Sequence, residues 1–225
     1  MHSCIVLLGP PAAGKGTQAE FLKSRLGFQA PSVGAMLREQ KEIGAPAGLK
    51  AAEYFERGLL VPDEITIEVV RHWLSTAPPV WALDGFPRTV RQAQAFDAML
   101  ADMAGNVDVA IFIEAAEPII RDRVIHRLVC GPCGAILREG MHVASSADPC
   151  PRCGGKLGRR KDDNLDALAD RLSEYRAKTA PVNAYYEQRG MLRRITGERP
   201  PEAVFADIAA ALDGAPIANA STPQS

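Results

Sequence analysis

The stretch Gly9-Pro-Pro-Ala-Ala-Gly14-Lys15-Gly16-Thr17 constrains this chain more than any other. It follows the apolar run Cys4-Ile5-Val6-Leu7-Leu8 and opens a helix-like run from Thr17 to Arg25, so strand, glycine-bounded loop and helix occur in that order. Such a junction is a phosphate cradle. Backbone N–H groups left unpaired at a helix start face the anion, and the helix dipole adds about half a positive charge. Gly14 and Gly16 let the chain come close to oxygen atoms, and Lys15 adds a point charge. An ordinary β-turn-α connection would carry Gly-Lys by accident, without lysine and hydroxyl falling in the required order.

The totals narrow the class. With 225 residues, 47% of them hydrophobic, the chain is expected to be globular, either as one large domain or as a domain with inserts. A net charge of −1 argues against a nucleic-acid protein that depends on a basic surface. No apolar run approaches the ~20 residues of a membrane helix, and the N-terminus lacks a basic segment and cleavage site, so a cytoplasmic protein is expected. Of five cysteines, four fall in two Cys-x-x-Cys pairs, a spacing that in a reducing compartment points to metal. The fifth, Cys4, fits the core of the first strand.

Strand-like runs at Cys4 to Leu8, Phe28 to Ser32, Val80 to Leu83, Val107 to Ile113 and Leu192 to Ile195 alternate with helical ones. Helices are expected over Val33 to Lys41, Pro46 to Arg57, from Pro62 onward, Thr89 to Met103, Glu117 to Arg127, Asp166 to Arg189 with a bend near Pro181, and Pro201 to Leu212. The expectation is an α/β fold with a doubly wound, parallel, five-stranded sheet whose ligands bind at the carboxyl ends of the strands, where Gly9 and Asp84 lie. The core comprises residues 1–31, 62–127 and 162–212. Residues 32–61 form a helical insert, and 128–161, rich in Gly, Pro, Cys and Ser and without clear periodicity, an inserted lid. Residues 213–225 form a tail expected to fray.

Gly-x-Pro-x-x-Gly-Lys-Gly-Thr, with Gly16 between lysine and hydroxyl, resembles the loop of the adenylate kinase family of nucleoside monophosphate kinases. Asp84-Gly85-Phe86-Pro87-Arg88 followed by Gln92 is similar to a second signature of that family. The resemblance runs over nearly all of the chain up to the tail and implies roles residue by residue. Ala12, Ala13, Gly14, Lys15, Gly16 and Thr17 would cradle ATP, with Arg123 against its purine, Arg127 on its phosphates, Ile136 and Leu137 in the lid and Arg199 in a closing loop by the adenine. AMP would be held by Val33, Arg38, Leu59, Leu60, Val61, Gly85, Phe86, Pro87, Arg88, Arg160 and Arg171, with Gln92 reading the adenine edge. Catalysis would fall to Lys15, Arg88, Arg127, Arg160, Arg171 and Asp84, the last holding Mg²⁺ through water. Asp162 and Asp163 would hold arginines and hinge the lid, or cap the helix that follows.

The arginines have a physical reason. A phosphoryl group in transfer spreads negative charge over its equatorial oxygens, and guanidinium forks match those oxygens without losing their protons. Cys130, Cys133, Cys150 and Cys153 resemble a four-thiolate zinc ribbon, whose closed coordination stabilises the lid and leaves no position for substrate. Three departures from the family pattern stand out. Ala12 replaces a usual Gly, Leu137-Arg138 a usual Tyr-His, and Ser32-Val33-Gly34-Ala35-Met36 a usual Ser-Thr-Gly-Asp-Met. The implied reaction is ATP + AMP ⇌ 2 ADP by a monomer that binds neither nucleic acid nor membrane. The alternatives are another monophosphate as acceptor and a non-catalytic nucleic-acid binder built on the zinc ribbon.

Overall fold

The computed structural model describes residues 4–56, 60–159 and 163–214. Strand β1 (Cys4–Leu8) lies between β2 (Trp81–Asp84) and β3 (Val109–Glu114), with β7 (Leu192–Thr196) beyond β3, all parallel. The alternation of β1 explains its central place. Val6 and Leu8 enter one core layer with Leu83, Phe86, Phe96 and Tyr186, whereas Ile5 and Leu7 enter the other with Leu22, Ile111, Ile113 and Ile208. A strand buried on both faces needs apolar residues at every position, as parallel sheets covered by helices do.

The expected fifth strand is present only as two isolated bridges, Gln29 to Trp81 and Ser32 to Asp84. Gln29 N–H donates to Val80 O at 3.1 Å and Ala82 N–H to Gln29 O at 2.8 Å, but Pro31 has no N–H to continue the ladder. The insert is a helix pair, α2 (Val33–Glu42) and α3 (Pro46–Glu56), placed after α1 (Lys15–Leu26) and before α4 (Asp63–Leu74). Next come α5 (Val90–Asp102) and α6 (Glu117–Ile125).

Helix α6 ends two residues before the expected Arg127, which instead begins β4 (Arg127–Cys130). The segment read as lacking periodicity folds, with β5 (Ile136–Arg138) and β6 (Leu157–Gly158), into an antiparallel sheet of order β5-β4-β6. Strands this short leave no pattern to detect. Leu128, Ala135, Leu137 and Leu157 close a small core around Cys130 and Cys150.

The bend near Pro181 is a π-helical stretch, Tyr175–Thr179, between α7 (Leu165–Glu174) and α8 (Ala180–Glu187). Ala180 N–H reaches back to Tyr175 O, and proline, lacking an N–H, cannot restore the regular spacing at the next position. Helix α9 (Pro201–Leu212) covers one face of the sheet against α1. Among the described residues, no helix is long and apolar enough to cross a membrane. The expected tail lies outside the described residues from residue 215 on.

Candidate active site and metal centre

Strand β1 delivers the loop to the carboxyl edge of the sheet, and Gly14 caps α1 in a left-handed conformation with no side-chain hydrogen bond to the first turn. The N–H groups of that turn are thereby left to a ligand. Lys15 Nζ donates to Gly9 O and Pro10 O, both at 2.8 Å, so the ammonium is held over the loop it belongs to. Ala12 has φ 58°, a conformation that costs a residue with a Cβ roughly 1–2 kcal/mol. Its methyl packs against the cluster of Ile120, Val124, Leu168 and Leu172, which offsets part of that cost.

Asp84 ends β2 in register with Leu7, and its Oδ2 lies 3.7 Å from the point a Cβ on Gly16 would occupy. Burial pushes the Lys15 ammonium down to about 8; Asp84 opposes the shift, while Arg88, Arg171 and Arg127 add to it. The Asp84 carboxyl is pushed up by burial, against the pull of Lys15 and Arg88. Three guanidiniums from α7, β4 and the loop after β2 therefore act on one lysine. Arg88 Nε donates to Gly85 O at 2.8 Å. Arg127 is paired with Asp163, which has no exposed side-chain surface.

Arg123 links two loops. It donates to Ala13 O at 2.8 Å and also to Gly197 O, tying the phosphate loop to the turn after β7. A Cβ at Gly197 would sit 2.6 Å from Ala13 O, so only glycine permits that approach. Arg199 turns away toward α9 and pairs with Asp207. Ile136 of β5 reaches within 3.4 Å of the Cβ position of Gly16, which puts the cysteine-bearing sheet over the start of α1. Leu137 points the other way, into that sheet's own core.

Of the residues expected to hold the acceptor, Val33, Val61, Phe86 and Pro87 are buried, and the Phe86 ring meets Phe96 edge-on at 5.2 Å. Leu60 is half-buried. Arg38 is exposed beside Gly34. Gln92 is buried, with Oε1 accepting from Arg88 N–H and Nε2 donating to Asp63. Leu59 and Arg160 lie outside the described residues, as does Asp162.

Two polar residues beside the expected site residues were given no role there by the sequence reading. Asp63 is one; its signal was Thr89-x-x-Gln92, a capping-box spacing in which Thr89 accepts from Gln92 N–H. Arg138 is the other, paired with Asp122 and opposite Arg127 in the β4–β5 register. Its signal was the charge itself, in a strand whose neighbour Leu137 is apolar.

The four paired cysteines come together, with all Sγ atoms within 4.8 Å of one another. Cys130 and Cys153 lie 3.4 Å apart and Cys133 and Cys150 3.8 Å, against about 3.8 Å for a tetrahedral zinc with Zn–S bonds of about 2.3 Å. Two equivalent turns build the site. Cys130 O accepts from Gly134 N–H at 2.9 Å and Cys150 O from Gly154 N–H at 2.8 Å, each glycine having φ near 70°. Four thiols on two matched turns fit a closed tetrathiolate site.

Residues 7–191 match the family model described as adenylate kinase. The chain is 42% identical over 212 residues to the adenylate kinase of Geobacillus sp. (strain WCH70), covering 93% of this chain and 98% of that protein. It is 42% identical over 211 residues to the adenylate kinase of Carboxydothermus hydrogenoformans, covering 92% and 98%, and 40% identical over 210 residues to that of Symbiobacterium thermophilum, covering 92% and 96%.

The chain belongs to the adenylate kinase family. As a family member it is a nucleotide-binding kinase, a transferase of phosphoryl groups. Its departures from the adenylate kinase pattern now have places. Ala12 takes up the left-handed turn half-buried, packed on the Ile120 cluster, Leu137 serves the core of the cysteine-bearing sheet, and Val33 is part of the main core at the start of α2.

Proposed function

We propose that the chain catalyses reversible transfer of the terminal phosphoryl of MgATP to AMP, giving two ADP. The observation that carries this reading is the grouping of Lys15, Asp84, Arg88, Arg127 and Arg171 around the open first turn of α1, in a chain of this family. The loop from Ala12 to Thr17 binds the ATP phosphates. Arg123, braced by Ala13 O and Gly197 O, offers its flat face to the donor purine. Arg38 and Arg88 hold the phosphate of AMP, and Gln92 reads its base. Lys15, Arg88, Arg127 and Arg171 face the equatorial oxygens of the group in transfer, where fixed positive charge lowers the barrier most.

Asp84 beside Gly16 suits Mg²⁺, which keeps most of its waters and needs few protein oxygens. Bound there with ATP, the ion would neutralise phosphate charge. Residues 128–161 act as a lid stapled by zinc on Cys130, Cys133, Cys150 and Cys153, and residues 32–61 as the flap over AMP. Closure excludes water that would otherwise hydrolyse ATP. We further propose a cytoplasmic location, since thiolate ligands suit a reducing compartment.

The test is ADP formation with ATP held constant and AMP, GMP, CMP and UMP titrated in turn. ADP should appear only when an acceptor is present, with AMP the best. Rapid ATP hydrolysis without acceptor would refute the assignment.

A further inference from the structure

Asp63 is the first residue of α4, and its carboxylate bridges to the residues that open α5. Gln92 N–H donates to Thr89 Oγ1 at 3.0 Å, which leaves the Thr89 proton for Asp63 Oδ2 at 2.9 Å. Gln92 Nε2 donates to Asp63 Oδ1 at 2.7 Å, and Arg88 N–H donates to Gln92 Oε1 at 2.7 Å. A carboxylate only accepts and a backbone N–H only donates, so the two ends of the Gln92 amide are not interchangeable. Gln92 is 2% exposed. Turning its amide over would set Oε1 against a carboxylate and Nε2 against an N–H, with little water to intervene.

Each end of the amide retains one further hydrogen-bonding site, a second N–H on Nε2 and a second lone pair on Oε1. The network therefore fixes which side of the amide donates to a base and which accepts. Adenine presents an acceptor at N1 beside a donor at N6. Hypoxanthine, of nearly the same size, presents a donor at N1 beside an acceptor at O6, and would need the amide reversed. We propose that Asp63 is a positioning residue for acceptor choice: by locking the Gln92 amide in one orientation, it makes the site take a 6-aminopurine monophosphate and refuse a 6-oxopurine one. This rests on Gln92 contacting the acceptor base, as in the proposed function.

The experiment measures kcat/KM for AMP and for inosine monophosphate, both with ATP, in the unaltered protein and in the Asp63→Asn, Asp63→Ser and Gln92→Leu variants. The AMP-to-inosine-monophosphate ratio from a single preparation does not depend on how much of it is folded, so a loss of stability alone leaves it unmoved. Because Asp63→Asn replaces an obligate acceptor by a group that also donates, the ratio should fall by about tenfold or more, with a smaller fall in Asp63→Ser. Gln92→Leu should collapse it as well. A ratio that collapses in Gln92→Leu yet is unchanged in both Asp63 variants overturns the role of Asp63 and leaves Gln92 as the base contact. A ratio unchanged in all three overturns both.

Discussion

Arg127 and Asp163 form a two-bond ion pair, Nε to Oδ2 at 2.7 Å and Nη2 to Oδ1, with side-chain exposures of only 12% and 0%. Arg127 is the first residue of the cysteine-bearing sheet and Asp163 directly precedes the Asn164 cap of α7. The pair thus clasps the two ends of the inserted segment and holds an arginine whose charge acts on Lys15.

Breaking this pair from one side should be costly, because it leaves a guanidinium buried without its partner. Asp163→Ala is expected to lose about 3–5 kcal/mol in urea unfolding, with kcat falling as Arg127 loses its orientation. Asp163→Asn keeps the shape and one acceptor, and should fall between. An Asp163→Ala protein with unaltered stability and turnover would contradict the clasp.

Lys15 sets the alkaline behaviour. Its ammonium is held near 8 in the folded, nucleotide-free protein, against 10.5 when unperturbed. The free enzyme should therefore lose kcat/KM for ATP as pH rises through about 8. The limb in kcat should lie higher, since bound phosphates favour the ammonium. The sign for stability is opposite. Between about 8 and 10.5 the unfolded chain binds more protons at this site than the folded one, so this group makes the nucleotide-free protein more stable as pH rises. Coincident limbs in kcat and kcat/KM would exclude Lys15 as their source.

The cysteine cluster predicts one zinc per chain by elemental analysis. Chelation should lower the melting temperature and added zinc should restore it, because a small segment of this kind draws on a binding energy of ~10–16 kcal/mol. Cys133→Ser should lower the melting temperature more than it lowers turnover at 25 °C. A chelated protein that melts unchanged would remove the metal from the account.

Gly197→Ala forces a methyl to within 2.6 Å of both Ala13 O and the Ile113 side chain. Overpacking of this kind costs about 1–3 kcal/mol, and here the backbone that must move belongs to the phosphate loop. The KM for ATP should rise severalfold while that for AMP changes little. An unchanged KM for ATP would show that the turn after β7 does not brace the loop.

Much of the site was legible because the chain writes it locally. A loop that must approach phosphate needs Gly14, Lys15 and Gly16 in sequence, and a tetrathiolate site on two matched turns needs Cys-x-x-Cys twice. Strands buried on both faces announce themselves through unbroken apolar runs such as Ile5 to Leu8. Where the pattern was short, it failed: β5 and β6 have three and two residues, too few for an alternation to register. The edge segment Phe28 to Ser32 has the composition of a strand, yet Pro31 withholds the donor that would complete it.

The sequence by itself determined the order of strands and helices, the glycine-bounded loop before α1 and the two Cys-x-x-Cys pairs, since each depends on neighbours along the chain. Only the tertiary structure decided that Arg123 bridges Ala13 O and Gly197 O, that Arg199 turns to Asp207, and that Asp63 accepts from Gln92 Nε2 across 29 positions. Those outcomes depend on distances across the folded molecule, where burial removes water and makes each polar group take the partner within reach.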